Sequence, residues 1–214
     1  MVYPIAKLIL PLIYKPWLRE VGGLENIPCD ETFIVAVNHT SYCDVLLIPS
    51  IIIPKLNKRM HALVNSYYWN GLFTKSFLNL WQCIPVYVKK EPNSKEKNKL
   101  ALEKALNYIK QGHILMIFPE GRRSDGKLMK GHTGIARLAL TAKVPVLPCG
   151  ITNANKVLPK GKLFPRFVMC EVKIGKLIYF DKYYNKRSNN KILDKVTTDI
   201  MREIGKLIGQ RYGY

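Results

Sequence analysis

Residues 38–44 read Asn38-His39-Thr40-Ser41-Tyr42-Cys43-Asp44. An imidazole is the side chain whose ordinary pKa lies nearest neutrality, so it suits general-base work. A carboxylate five positions on can bond one ring nitrogen, fix the tautomer and leave the other nitrogen free to take a proton. Ser41 and a substrate hydroxyl are both open as the nucleophile that such a base would activate. A second segment, Phe118-Pro119-Glu120-Gly121-Arg122-Arg123-Ser124, gathers a carboxylate, a glycine and two guanidinium groups. Gly121 permits a tight backbone, and Arg122 and Arg123 can grip a phosphate bidentately. Lys127 and Lys130 lie just beyond. A third stretch, residues 84–90, ends an apolar run on Lys89 and Lys90, and a fourth, residues 144–148, is a short apolar run holding Pro145 and Pro148. Taken singly, each also reads as ordinary structure: a chance His/Asp pair, a solvated basic turn, two core strands.

These residues need a scaffold, and the hydrophobic pattern supplies one. Residues 33–37 are a short β-branched run, predicted as a buried strand that feeds directly into Asn38-His39. Residues 61–64, 84–88, 114–118, 144–149 and 167–174 read as further strands. Residues 44–53 are helical or irregular, and the aromatic-rich residues 66–81 are predicted helical. Ser94 is the expected cap of a helix through Gln111, with Gly112 as its stop, and Thr133 caps one to about Ala142. Asn190 is the expected cap of the last helix, in which Ile192, Val196, Ile200, Ile204, Leu207 and Ile208 follow helical spacing. Short apolar strands alternating with amphipathic helices give an α/β fold: one domain, with a mainly parallel central sheet flanked by helices. Both chemical segments then follow strand ends, where such folds build sites.

The chain has 214 residues and 48% hydrophobic composition, enough for one domain with a real core and too apolar for disorder. Its formal charge of +19 is spread along the chain rather than held in a tail. That calls for an anionic partner: nucleic acid, an anionic membrane surface or a phosphorylated substrate. Nucleic acid is the weaker choice, since the 12 tyrosines could stack on bases but no binding signature accompanies them. Cys29, Cys43, Cys83, Cys149 and Cys170 form no C-x-x-C pair, so reduced thiols in a cytosolic setting are expected, and no metal site. No uncharged apolar run approaches the ~18–20 residues a membrane span needs. Residues 1–20 form an apolar segment broken by Pro4, Pro11 and Pro16. Ile5, Leu8, Ile9, Leu12 and Ile13 share a face there, and Lys7, Lys15, Trp17 and Arg19 suit headgroup level. It reads as a membrane-interface segment preceding a domain at 21–214, or as a helix packed on the protein's own core. Residues 45–54 are a second apolar run, too short to span, that is either core or lipid-facing.

The four segments in this order resemble the glycerolipid acyltransferase family that includes the 1-acylglycerol-3-phosphate acyltransferases. Asn38-His39 and Asp44 look like its N-H-x4-D block, and Phe118-Pro119-Glu120-Gly121 with Arg123-Ser124 looks like its F-P-E-G-T-R-S block. Residues 84–89 and 144–148 sit where its second and fourth blocks fall, and residues 23–28 resemble its glycine-containing lead-in. The resemblance covers roughly residues 20–150. It implies a glycerol-3-phosphate acyltransferase-like fold and transfer of a fatty acyl group from acyl-CoA or acyl carrier protein to lysophosphatidic acid, giving phosphatidic acid. His39 would be the base and Asp44 its orienter. Glu120, Gly121, Arg122, Arg123, Ser124, Lys89 and Lys130 would bind substrate, with Arg123 on the acceptor phosphate. No cofactor and no metal are implied. Membrane lipids, the lysophospholipid and the acyl thioester donor are the implied partners. The enzyme would be peripheral or monotopic on the cytoplasmic face of the cell membrane. Residues 46–53 and 67–81 are candidate linings for an acyl groove. Two departures stand out: Arg122 replaces the usual Thr, and Lys89 replaces a common Arg, a point charge without the Arg fork. They keep open acylation of another lyso-lipid, an aminolipid or a glycolipid.

Overall fold

The computed structural model describes Leu12, residues 15–88, residues 90–159, Gly161, Lys162 and residues 164–214. The expectations for the first residues of the apolar segment and for Lys89 therefore lie outside the described residues. Seven strands form one sheet in the order β1-β7-β6-β2-β5-β3-β4. They are β1 (Leu18–Gly22), β2 (Ile34–Val37), β3 (Met60–Asn65), β4 (Ile84–Val86), β5 (Ile114–Ile117), β6 (Val146–Thr152) and β7 (Cys170–Ile174). β6, β2, β5, β3 and β4 are mutually parallel. β7 pairs antiparallel with β6, and β1 joins it in parallel. The expected α/β domain with a mostly parallel sheet is what the chain adopts. The boundary expected after residue 20 falls inside β1, because Leu18, Glu20, Val21 and Gly22 pair with β7.

The helices are α1 (Asp44–Leu56), α2 (Leu72–Leu80), α3 (Ser94–Lys110), α4 (Gly134–Ala142), α5 (Ala154–Val157), α6 (Asp181–Tyr184) and α7 (Asn190–Leu207). Alternation along the central strand sorts its residues between two cores. Val35 and Val37 face α1, meeting Leu47, Ile48, Ile52 and Ile53, while Ile34 and Ala36 face α3, α4 and α7. The apolar run at 45–54 is thus mostly core: Leu47, Ile48, Ile52 and Ile53 are each at most 1% exposed. Burial of each such side chain is worth roughly 1.5–3 kcal/mol.

Several boundaries differ from the sequence expectation for local reasons. Gly71 divides residues 66–81 into a 3-10 turn (Ser66–Asn70) and α2. Asn93, in the left-handed conformation at φ 54°, caps α3, and Ser94 is the first helical residue. Asn189, not Asn190, caps α7, its side chain accepting from the Ile192 amide at 2.9 Å. The strand expected from 167 begins at Cys170, where pairing with β1 starts.

One topological feature prepares the site. β2 and β5 are neighbours, and their connections leave toward opposite faces, through α1 on one side and α4 on the other. That divergence opens a crevice at the carboxyl ends of the two strands.

Candidate active site

Residue 38 ends β2 with a side-chain lock. The Asn38 amide donates to the Ile151 carbonyl at 2.9 Å and accepts from the Ile151 amide at 2.7 Å. It thereby continues the β2–β6 pairing while the main chain turns away. Asp44, fully buried, is the first residue of α1. Its Oδ2 accepts from the Thr40 and Ser41 amides at 2.6 and 2.7 Å and lies 3.0 Å from His39 Nδ1. One carboxylate oxygen thus folds the turn and orients the ring, and the helix N-terminus favours its charge. With Nδ1–H directed at Asp44, Nε2 is the acceptor nitrogen. Asp44 Oδ1 and Thr40 Oγ1 are buried without a hydrogen-bond partner among the described residues. The imidazole stacks on Phe118 with centroids 4.0 Å apart and remains partly exposed.

The alternative of Ser41 as nucleophile finds no geometry. Its hydroxyl, in a buried residue, donates to the Leu158 carbonyl at 3.0 Å and accepts from the Cys43 amide at 3.3 Å. His61, which is fully buried, is occupied on both nitrogens, by the Trp81 carbonyl at 3.2 Å and His113 Nδ1 at 3.0 Å. Burial pushes its pKa down to about 4. It lies where β3 and β5 begin, at the far end of the sheet.

The loop after β5 closes over His39. Ser124 donates its amide to the His39 carbonyl at 2.8 Å. Glu120, 2% exposed, accepts the His39 amide on Oε1 at 2.7 Å and the Met129 amide on Oε2 at 2.8 Å. Burial raises its pKa to about 7, the two amides pulling it down and the Asp44 charge pushing it further up. Gly121 has φ +67°, and a Cβ there would come within 3.0 Å of His132 Cδ2. The turn therefore needs glycine. Arg123 lies with its guanidinium carbon 3.5 Å from the Tyr42 ring centroid. Tyr42 Oη meets Tyr68 Oη at 3.4 Å.

The structure thus brings together His39, Asp44, Glu120, Gly121, Arg123 and Ser124. Arg122 and Lys130 belong to the same loop and are exposed. Glu120 and Ser124 are buried and hydrogen-bonded to the His39 backbone or to their own loop, so they meet the protein rather than open space. Sequence reading placed Phe118 and Tyr42 inside the two chemical segments and Tyr68 in the 67–81 stretch, but gave none of them its role as a contact of His39 or Arg123.

A cavity of about 220 Å³ lies beside the start of α1, lined by Cys43 and Leu47 with Trp17, Val157, Leu158, Pro165 and Cys170. It exceeds the ~150 Å³ at which an apolar cavity stays dry and takes a benzene. Burial raises the Cys43 and Cys170 thiols, Cys170 to about 11. The 67–81 segment does not wall this space. Its Phe77 and Trp81 close on Val45 and Leu46 around a void of about 20 Å³.

A family model described as Acyltransferase matches residues 19–152. A 1-acyl-sn-glycerol-3-phosphate acyltransferase of Bacillus subtilis is 28% identical over 67% of this chain and 69% of its own length. The chloroplastic 1-acyl-sn-glycerol-3-phosphate acyltransferase BAT2 of Brassica napus is 27% identical over 73% of this chain, but the match spans 44% of that protein. Among solved structures, the 1-acyl-sn-glycerophosphate (LPA) acyltransferase PlsC from Thermotoga maritima superposes with a TM-score of 0.65 at 24% identity, covering 94% of this chain and 81% of that one. The two share a fold.

Proposed function

The chain belongs to the acyltransferase family, and from that premise we propose that it transfers a fatty acyl group from acyl-CoA or acyl carrier protein to the free hydroxyl of lysophosphatidic acid. The observation that carries the reading is the His39–Asp44 pair beside the arginine loop. His39 Nε2 takes the acceptor's hydroxyl proton as that oxygen attacks the thioester carbonyl. Asp44 stabilises the imidazolium through Nδ1. The tetrahedral adduct expels the thiolate, which receives the proton back from Nε2, leaving ester and thiol. A positioned base of this kind contributes ~10²–10⁴ in rate. Arg123, with Arg122 beside it, binds the acceptor phosphate. The cavity under Cys43 and Leu47 seats the acyl chain. The reaction draws on no cofactor beyond the donor. Among the described residues no helix is long and apolar enough to cross a membrane. We place the enzyme on the cytoplasmic face of the membrane, held in part by residues 1–20.

A second reading, acylation of another lyso-lipid, is favoured by Arg122 standing in place of the family's Thr. The test is purified protein with labelled acyl-CoA or acyl carrier protein thioester and a panel of acceptors, with His39→Ala as control. Turnover on lysophosphatidic acid that His39→Ala abolishes supports the first reading. Turnover on an aminolipid or glycolipid acceptor alone transfers the assignment to the second. Full turnover in the His39→Ala protein removes His39 as the base.

A further inference from the structure

Two groups of large apolar side chains stand exposed on the surface. The first is on α2. Phe73, Phe77 and Leu80 recur at helical spacing on one face, with Phe73 93% and Leu80 75% exposed, while Leu78 on the opposite face is buried. The second is the loop before β7, where Phe164 and Phe167 are 83% and 97% exposed. Phenyl rings held almost wholly in water mark surfaces made to be covered.

The patches flank one helix. α2 borders α1 across a small void, which Phe77 and the following Trp81 line together with Val45 and Leu46. The loop borders the start of α1 across the cavity of about 220 Å³, which Pro165 lines together with Cys43 and Leu47. Both adjoin the proposed active site. Tyr68, in the turn leading to α2, meets Tyr42, and Leu158, leading to the loop, bonds Ser41. Their charge is one-sided as well. Residues 66–82 contain Lys75 and no acid, and residues 154–169 contain Lys156, Lys160, Lys162 and Arg166 and no acid. Exposed rings on segments whose own charged residues are all basic match an anionic bilayer, with rings in the acyl boundary and cations at the headgroups.

We propose that α2 and the 164–169 loop are paired docking elements that seat the protein on an anionic membrane surface beside the His39 entrance. The proposal gives a surface to the lipid-acylating reading above and rests on it for its purpose, though its test needs no turnover. Co-sedimentation is measured with phosphatidylcholine vesicles, with and without phosphatidylglycerol. The proteins are the full chain, Phe73→Ser/Leu80→Ser, Phe164→Ser/Phe167→Ser and the four combined. Each pair is expected to weaken partitioning onto phosphatidylglycerol vesicles about tenfold, and the combination more. Binding to pure phosphatidylcholine should be weaker throughout. Turnover of a short-chain acceptor in free solution should be unchanged. Amide exchange in residues 72–80 and 164–169 of the unsubstituted protein should slow when anionic vesicles are added, a readout independent of any variant's folding.

Full vesicle binding by the four-fold variant, or unslowed exchange in both segments, overturns the proposal. So does a dimer that the four substitutions convert to monomer with vesicle binding intact, which would make a second copy the occupant. A protein that acylates no acceptor yet loses vesicle binding through these substitutions sinks the acyltransfer reading and leaves the docking surface standing.

Discussion

Glu120→Gln separates two roles for a single carboxylate. If Glu120 touches the acceptor, its loss appears in the acceptor KM. If it holds His39 through the backbone, the loss falls on kcat. The geometry favours the second, since its two oxygens accept the His39 and Met129 amides at 2.7 and 2.8 Å. A Gln side chain keeps one acceptor and turns an NH₂ toward the other amide, leaving a buried donor unpaired at a cost of about 1–3 kcal/mol. We expect kcat to fall ~10–100-fold with acceptor KM within about twofold, as small displacements of a catalytic group can cost ~10²-fold. The pH dependence adds a second signature. The native carboxyl titrates at about 7 rather than 4.5, so between these values the folded state binds more protons than the unfolded. Stability therefore falls as pH rises through that window, by about 3 kcal/mol at most. The Tm advantage of the parent over Glu120→Gln should shrink by roughly 5–10 °C between pH 4.5 and 8. Parallel Tm–pH curves would refute the raised carboxyl. A raised acceptor KM at unchanged kcat would refute the positioning role.

Arg123→Ala should raise the acceptor KM about 10–100-fold, the worth of one charge-assisted hydrogen bond, and leave the donor KM unchanged. Initial rates with each substrate varied in turn decide it. Tyr42→Ala should give a milder version, roughly 2–5-fold, because the ring 3.5 Å from Arg123 Cζ holds the guanidinium through a cation–π contact. Asn38→Ala strips two buried backbone groups of Ile151 of their partner and should cost about 2–5 kcal/mol, read as a fall in Tm.

The fold was legible where one local signal sufficed. The β-branched run before Asn38 and the helical spacing after Asn189 each carried their element alone. What escaped needed a distant partner. β1 is five residues of mixed polarity, LREVG, and is a strand because β7 lies beside it. α2 shows ordinary amphipathic spacing, but no pattern says that its apolar face turns outward. In the site, the His39–Asp44 pairing was readable from residue types five positions apart. That Asp44 also accepts both turn amides depends on α1 starting at Asp44 itself. The burial of Glu120 depends on the His39 backbone, 81 residues away. The acyl groove expected from 67–81 shows the same limit, since aromatic content does not say which neighbour will close the space.

The proposed base and the proposed phosphate loop are one mechanical unit. His39 is gripped on both sides of its backbone by residues of the 118–130 loop, its amide by Glu120 and its carbonyl by Ser124. The same loop carries Arg123, which leans on Tyr42 in the turn that Asp44 organises. A phosphate drawing Arg123 inward therefore acts on the peptide that aims the imidazole. Holding the acceptor headgroup and aiming the base are coupled through two short hydrogen bonds and a cation–π contact rather than through the substrate alone. Headgroup recognition should accordingly be felt in kcat: an acceptor lacking the phosphate should turn over more slowly even at saturation, and Arg123→Ala should erase that difference. An equal saturating rate for both acceptors in the parent protein would show that the loop binds without aiming.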